Sequence, residues 1–100
     1  MAQPVFASSR ARLQIAAIVD YLNEYSPSTG RRFLDRLNAA SERLAAFPSS
    51  APRGPVPGTR RLVVTPYILT YRITRAGIEI LDIRHGRQRI PPALAPDDAV

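Results

Sequence analysis

The chain has 100 residues and a formal net charge of +6, from fourteen basic against eight acidic side chains. That length suits one domain that buries roughly two-thirds of its unfolded surface around one core, so residues 1–100 are read as a single domain with 91–100 as a flexible tail. No apolar run approaches the ~18 residues of a membrane span and the opening "MAQPVFASSRAR" lacks a signal pattern, so no membrane partner and a cytoplasmic location are expected.

Cysteine is absent, which excludes a disulfide framework and a thiolate zinc site, and one histidine among scattered carboxylates argues against any metal or cofactor. All the basic residues are arginines, so no side-chain amine is available for Schiff-base chemistry. An Arg, Ala and Pro bias without lysine is what a GC-rich genome gives. It also suits recognition, because the planar, permanently charged guanidinium matches carboxylates and phosphates better than an ammonium does.

In chain order, "PVFASSR" is a short β-prone start followed by Ser8 and Ser9, either of which can cap a helix. A helix to about Tyr25 is expected, because Ala11, Ile15, Ile18, Leu22 and Tyr25 recur at spacings of four and three, one buried stripe at helical period. Arg10, Arg12, Gln14 and Asp20 are expected to face water. Ser26 and Pro27 then suit the cap and first position of a second helix, whose stripe is Phe33, Leu37, Ala40, Leu44 and Phe47, widened by Leu34 and Ala45 and ended by Pro48. So short a connection predicts an antiparallel hairpin.

The stretch "PSSAPRGPVPG", residues 48–58, has four prolines and no periodicity, and reads as a loop. Three β-prone runs follow: "RRLVVT" from Arg60, "YILTYRIT" from Tyr67 and "IEILDIR" from Ile78. A tight "TP" link and a three-residue "RAG" turn join them into a meander. In the middle run Tyr67, Leu69, Tyr71 and Ile73 share the core face, while Ile68, Thr70, Arg72 and Thr74 share the other. The fold expected is α+β: an N-terminal two-helix hairpin packed on one face of a small, mainly antiparallel sheet that the N-terminal strand can join.

The chemistry-bearing cluster is "RHGRQR". His85 has no cysteine partner, no serine lies in a G-x-S-x-G elbow and no Gly-rich phosphate loop is present, so a hydrolase triad is a weak reading. An RNA-cleaving site needs less, a general base or acid beside cations for the developing phosphate charge, and His85 with Arg84, Arg87 and Arg89 has those groups. The plainer alternative is that His85 ends a strand and bonds a neighbour while the arginines are solvated. Base stacking is not favoured, since Phe33, Phe47, Tyr67 and Tyr71 fall on the apolar stripes and only Tyr21 lies beside one.

The hairpin "YLNEYSPSTGRRFLDRL", the "RRL" that opens the sheet, the "YRI" in its middle and the closing "HGR" together resemble the RelE/ParE superfamily of bacterial toxins, in particular its ParE branch, over roughly residues 4–90. The resemblance implies a small basic toxin of a type II toxin-antitoxin pair, wrapped by a flexible, acidic segment of a cognate antitoxin and touching DNA only through it. RelE-like members cut messenger RNA on the ribosome and carry an arginine directly after the aromatic residue that begins the middle strand. Here that position is Ile68, although Arg60 and Arg61 partly reproduce the basic run on the preceding strand.

ParE-like members are known for poisoning DNA gyrase, so the reading taken is a non-catalytic toxin acting on gyrase through protein contacts. A ribosome-dependent endoribonuclease and a small basic nucleic-acid-binding module are the alternatives. Under the first reading no residue is catalytic, and Arg60, Arg61, Arg72, Arg84, His85, Arg87 and Arg89 form the surface that meets target or antitoxin. Arg72 also has a structural reading, as the partner of Asp82 across the hairpin.

Overall fold

Ser8 sets the start of the first helix: in extended conformation, its Oγ accepts the N–H of Ala11 at 3.1 Å. In the computed structural model, which describes residues 3–87, this helix, α1 (Ser9–Asn23), follows a short strand β1 (Val5–Ala7). Ala11 is fully buried, with Ile15, Ile18 and Leu22 packed against the core. Tyr25 is not: the helix ends at Asn23, two residues short of extending the stripe, and Tyr25 is 70% exposed.

The second helix, α2 (Pro27–Ala46), begins as its sequence predicts, with Ser26 accepting the N–H of Ser28 and proline at the first position, where a missing donor costs nothing. It buries Phe33, Leu37, Ala40 and Leu44. Phe47, expected on that stripe, is 66% exposed. A residue before proline is pushed out of the helical region; Phe47 sits at φ −134°, and its side chain leaves the helical phase. Leu34, expected to widen the stripe, is 38% exposed and outside the buried core.

The remaining strands are β2 (Arg60–Val64), β3 (Tyr67–Thr74) and β4 (Gly77–His85). The sheet order is β1-β4-β3-β2, antiparallel except that β1 runs parallel to β4, so the N-terminal strand does join the sheet. Thr65 and Pro66 link β2 to β3 through a cis peptide. The next turn is one residue shorter than "RAG" suggests: Thr74 pairs with Gly77, leaving Arg75 and Ala76 as the turn. Gly77 has φ +137°, and a Cβ there would run into the carbonyl oxygen of Pro4, so glycine is needed both for its backbone angle and for the close approach of β1.

Register places side chains in cross-strand rows. Toward the helices lie Val64, Tyr67 and His85, then Leu62, Leu69 and Ile83, then Arg60, Tyr71 and Ile80, then Ile73 and Ile78. Ile73, at the end of this face, is 42% exposed rather than in the core. Away from the helices lie Val63, Ile68 and Arg84, then Arg61, Thr70 and Asp82, then Arg72 and Glu79. Strict alternation would put Ile83 and Ile80 on opposite faces. Thr70 pairs with Asp82 and Tyr71 with Ile80, so Leu81 is an unpaired bulge residue that flips the phase and brings Ile83 into the core with Ile78 and Ile80.

Among the described residues no strand lies beside the outer edge of β4 beyond Ala7, and Ser8 and α1 close it. Ser8 donates its N–H to Ile80 and its hydroxyl to Leu81, and Gln14 accepts the N–H of Ile83 at 3.0 Å. The Gln14 amide also donates to Oδ1 of Asp82 at 2.7 Å, and Arg10 reaches the same oxygen at 3.3 Å. Gln14 and Arg10, expected to face water, are thus the partners of a carboxylate with no exposed surface.

The proline-rich loop has fewer N–H donors than carbonyls, and the sheet makes up the difference. Tyr71 Oη donates to Pro48 at 2.6 Å, Arg60 Nη1 to Ser49 and Ala51, the N–H of Arg61 to Pro52, and Thr59 Oγ1 to Val56. Among the described residues no helix is long and apolar enough to cross a membrane.

Two stability predictions follow from this packing. Gln14→Leu removes a bond to a buried carboxylate and one to a strand N–H, and should cost about 2–4 kcal/mol in urea unfolding; the exposed Arg12→Leu should cost under about 1 kcal/mol. Burial pushes the Tyr71 hydroxyl above the usual tyrosine range, partly countered by Arg60. A raised folded value means that the unfolded chain releases this proton first, near pH ~10. The stability Tyr71 contributes is therefore present below that pH and lost as pH rises through the folded value. Tyr71→Phe should be less stable near neutrality, for want of the bond to Pro48, yet lose less stability between neutral pH and about pH 11.

Candidate functional site

His85 and Arg84 are adjacent in sequence but lie on opposite faces of the sheet. His85 lies in the helix-side row opposite Tyr67, its ring edge-on to the tyrosine with centroids 5.8 Å apart. Tyr67 in turn packs edge-on against Phe33 at 5.1 Å, which anchors the row to α2. Nδ1 of His85 accepts the N–H of Arg87 at 3.2 Å, so in the neutral ring the proton resides on Nε2. Beside it lies a cavity of about 390 Å³ between α1, through Ala17, Ile18 and Tyr21, and the sheet residues Tyr67, Ile83 and His85.

The arginines take separate roles. Arg61, Arg72 and Arg84 occupy successive rows of the opposite face. Arg72 does not pair with Asp82: its partner is Glu79, directly opposite in register, with Nη2 to Oε1 at 2.7 Å. The two-residue turn is the reason, since pairing Thr74 with Gly77 sets Glu79 directly opposite Arg72. Asp82 is held by Gln14 and Arg10, with Nε of Arg84 4.0 Å from its other oxygen. Arg60 is on the helix side and donates to the loop carbonyls of Ser49 and Ala51. Arg87 is exposed after β4. Arg89 lies outside the described residues, as does the expected tail at 91–100.

Among the described residues, the sheet sets His85 on the face opposite Arg61, Arg72 and Arg84. The position after Tyr67 holds half-buried Ile68, between Val63 and Arg84, and the histidine is on the other face. Among the described residues no group of three or more His, Cys, Asp or Glu could hold a metal.

Two surface features escaped the sequence patterns. Tyr21 and Tyr25, four residues apart, meet edge-on with hydroxyls 2.9 Å apart and both rings exposed; the bond to Tyr25 is the main reason the Tyr21 hydroxyl is held above its usual range. On α2, Arg36 and Arg43 flank Ala39 and Ala40 beside β2. Their spacing of seven residues was the available signal.

The family model for ParE toxin of type II toxin-antitoxin system, parDE, matches residues 5–90. The chain is 36% identical over 87 residues to Y4kP of Sinorhizobium fredii, covering 85% of this chain and 90% of that protein. It is 33% identical over 86 residues to the toxin RelE2 of Caulobacter vibrioides, covering 86% and 97%. Its fold matches a chain of the chromosomal ParDE toxin-antitoxin system from P. aeruginosa with TM-score 0.72 at 21% identity, covering 84% of this chain and 96% of that one.

The two paired arginines should respond differently to truncation. Arg72→Ala opens a largely solvent-exposed ion pair and should lower stability by less than about 1 kcal/mol. Arg60→Ala strips a charged donor from two loop carbonyls and should cost more, about 1–3 kcal/mol. Chemical denaturation of both variants checks the order.

Proposed function

Because the chain belongs to the ParE toxin family of type II toxin-antitoxin systems, we propose that it arrests growth by binding DNA gyrase through protein contacts and that a cognate antitoxin holds it inactive. The observation that carries the choice of mechanism is the split between His85 and the arginine face. Cleavage of RNA needs a proton-transfer group within reach of the same phosphate that the cations stabilise. Here Ile68 stands where RelE-like nucleases carry an arginine, and His85 points toward α1 and Tyr67. What is exposed on the outer face, Arg61 and Arg72 with Val63, is a mixed cationic and apolar surface suited to a protein partner.

The name of the Caulobacter relative, RelE2, supports messenger RNA cleavage as the second reading. For the antitoxin, a net charge of +6 favours an acidic binding segment and speeds its encounter.

Expression in growing cells separates the two mechanisms. A gyrase poison should give gyrase-linked DNA breaks with intact transcripts, whereas mapped cuts in translated messages would overturn the proposal. His85→Gln should leave toxicity nearly unchanged, because glutamine keeps a polar group of similar size without an acid–base function near neutral pH. A nuclease relying on His85 would instead lose about two to four orders of magnitude of activity.

A further inference from the structure

Helix α1 packs against the core through Ala11, Ile15, Ile18, Val19 and Leu22. Each residue turns the helix by about 100°, so the side opposite that stripe is held by Arg10, Leu13, Ala17, Tyr21 and Glu24, all of them exposed. Helix positions that face water are ordinarily polar. Here Leu13 is 73% exposed, more than any other large apolar side chain among the described residues. Two turns further along stands Tyr21, its ring edge-on to that of Tyr25.

The order of these residues is self-complementary. Reversed about Ala17, Leu13 falls on Tyr21 and Arg10 on Glu24. An antiparallel copy of the helix therefore sets each leucine against the partner's tyrosine and each arginine against the partner's glutamate, with the two Ala17 side chains on the two-fold axis. Alanine at that point allows close approach, because only two methyl groups separate the backbones. Glu24 caps α1 with φ −63° and ψ −28°, helical angles that continue the stripe. Arg10 meets Asp82 through Nε and its side chain is 43% exposed, so its terminal nitrogens are placed for a second carboxylate.

We propose that the free chain self-associates through the outer face of α1, as a two-fold antiparallel helix pair centred on Ala17. The contact requires neither gyrase nor antitoxin. Charge selects the occupant: the face carries the carboxylates of Asp20 and Glu24 beside the guanidinium of Arg10, which suits neither a nucleic acid nor an acidic peptide, whereas a second copy brings an arginine to each glutamate. The exposed arginines Arg36, Arg43 and Arg61, which repel other copies, belong to α2 and β2, while α1 lies over β1 and β4. A helix of 15 residues is about 22 Å long, and one pair of that length buries less than roughly 1,200 Å² in total, so the dimer is weak and forms at micromolar concentration.

The test uses the full chain on its own. Sedimentation from about 1 to 500 μM should show a monomer–dimer equilibrium with a Kd of about 10–100 μM. Ala17→Arg sets two like charges on the two-fold axis, at an exposed helix position that arginine suits, and should weaken association at least about tenfold with the unfolding midpoint close to wild type. Leu13→Ala should weaken it about tenfold, since the contact is lost twice per dimer. Phe47→Ser, at an exposed apolar site outside the stripe, should leave it unchanged. Because the chain has no cysteine, single cysteines report the geometry. Under oxidised glutathione, Ala17→Cys should give disulfide-linked dimers, whereas Ala16→Cys, about 100° round the helix, should give far fewer. A chain that stays monomeric over the whole range overturns the proposal. So does a dimer that Ala17→Arg leaves intact, that Phe47→Ser dissolves, or that Ala16→Cys crosslinks as readily as Ala17→Cys, because each places the contact elsewhere.

Discussion

The buried carboxylate of Asp82 fixes how the helical layer sits on the sheet. Only Ser8 separates β1 from α1, so the helix must start beside the β4 edge that β1 has just left. At that edge β4 still has backbone groups to satisfy, and Asp82 has a charge to be paired out of water. Gln14 answers both from one side chain, accepting from the strand and donating to the carboxylate, and Arg10 one turn earlier completes the pairing. Removing one partner of a buried charge costs far more than the net worth of the pair, because the other group is left desolvated. The network therefore acts mainly as a constraint: α1 can rotate or slide on the sheet only by stranding Asp82. Its second oxygen has no hydrogen bond among the described residues and lies 4.0 Å from Nε of Arg84, so Gln14 and Arg10 are the contacts that tie it to α1.

That constraint propagates through the bulge. With Leu81 extruded, Asp82 stands at the edge where Gln14 can reach it, and Ile83 turns toward α1. The phase is then set for the end of the strand: Arg84 goes to the outer face, and His85 to the helix side against Tyr67. The separation of histidine from arginines, on which the mechanistic reading rests, thus has the same physical origin as the seating of the helix. A β4 without the bulge would carry His85 to the outer face beside the arginine rows.

The elements themselves were legible in the sequence because each rests on a local rule: the Ser8 and Ser26 caps, Pro27 at the first helical turn, the four-three stripes, and β-branched runs separated by Thr65-Pro66 and Gly77. What was not legible depends on where an element stops or slips. Tyr25 and Phe47 continue their stripes arithmetically, but each helix ends before reaching them. Pairing Arg72 with Asp82 overlooked Glu79, which the two-residue turn sets directly opposite Arg72; the bulge further along β4 shows in the sequence only as the spacing of two followed by three in Ile78, Ile80, Ile83. Gln14 looked like a solvent-facing residue because sequence alone shows no unpaired strand edge for its amide to meet. At the site, Ile68 could be read directly, whereas the opposed faces of Arg84 and His85 could not.

Net charge needs the same division before it is read as a footprint for a partner. Several of the arginines work within the fold. Arg60 satisfies carbonyls of a loop whose prolines remove donors, Arg12 donates to Ala7 at 3.1 Å, Arg10 neutralises Asp82 and Arg72 holds Glu79 across the hairpin. Such roles favour arginine over lysine, because a guanidinium carries more donors in a fixed plane and sheds its hydration more readily. Arg36, Arg43 and Arg61 are different: they are exposed, have no ion pair among the described residues, and flank one strand edge and groove. Uncompensated charge gathered there repels other copies of the chain, and a partner that neutralises it gains more than it would from the same arginines scattered over the surface. The excess of +6 is thus partly a residue of how the loop and edges are satisfied, and its part that bears on recognition is local.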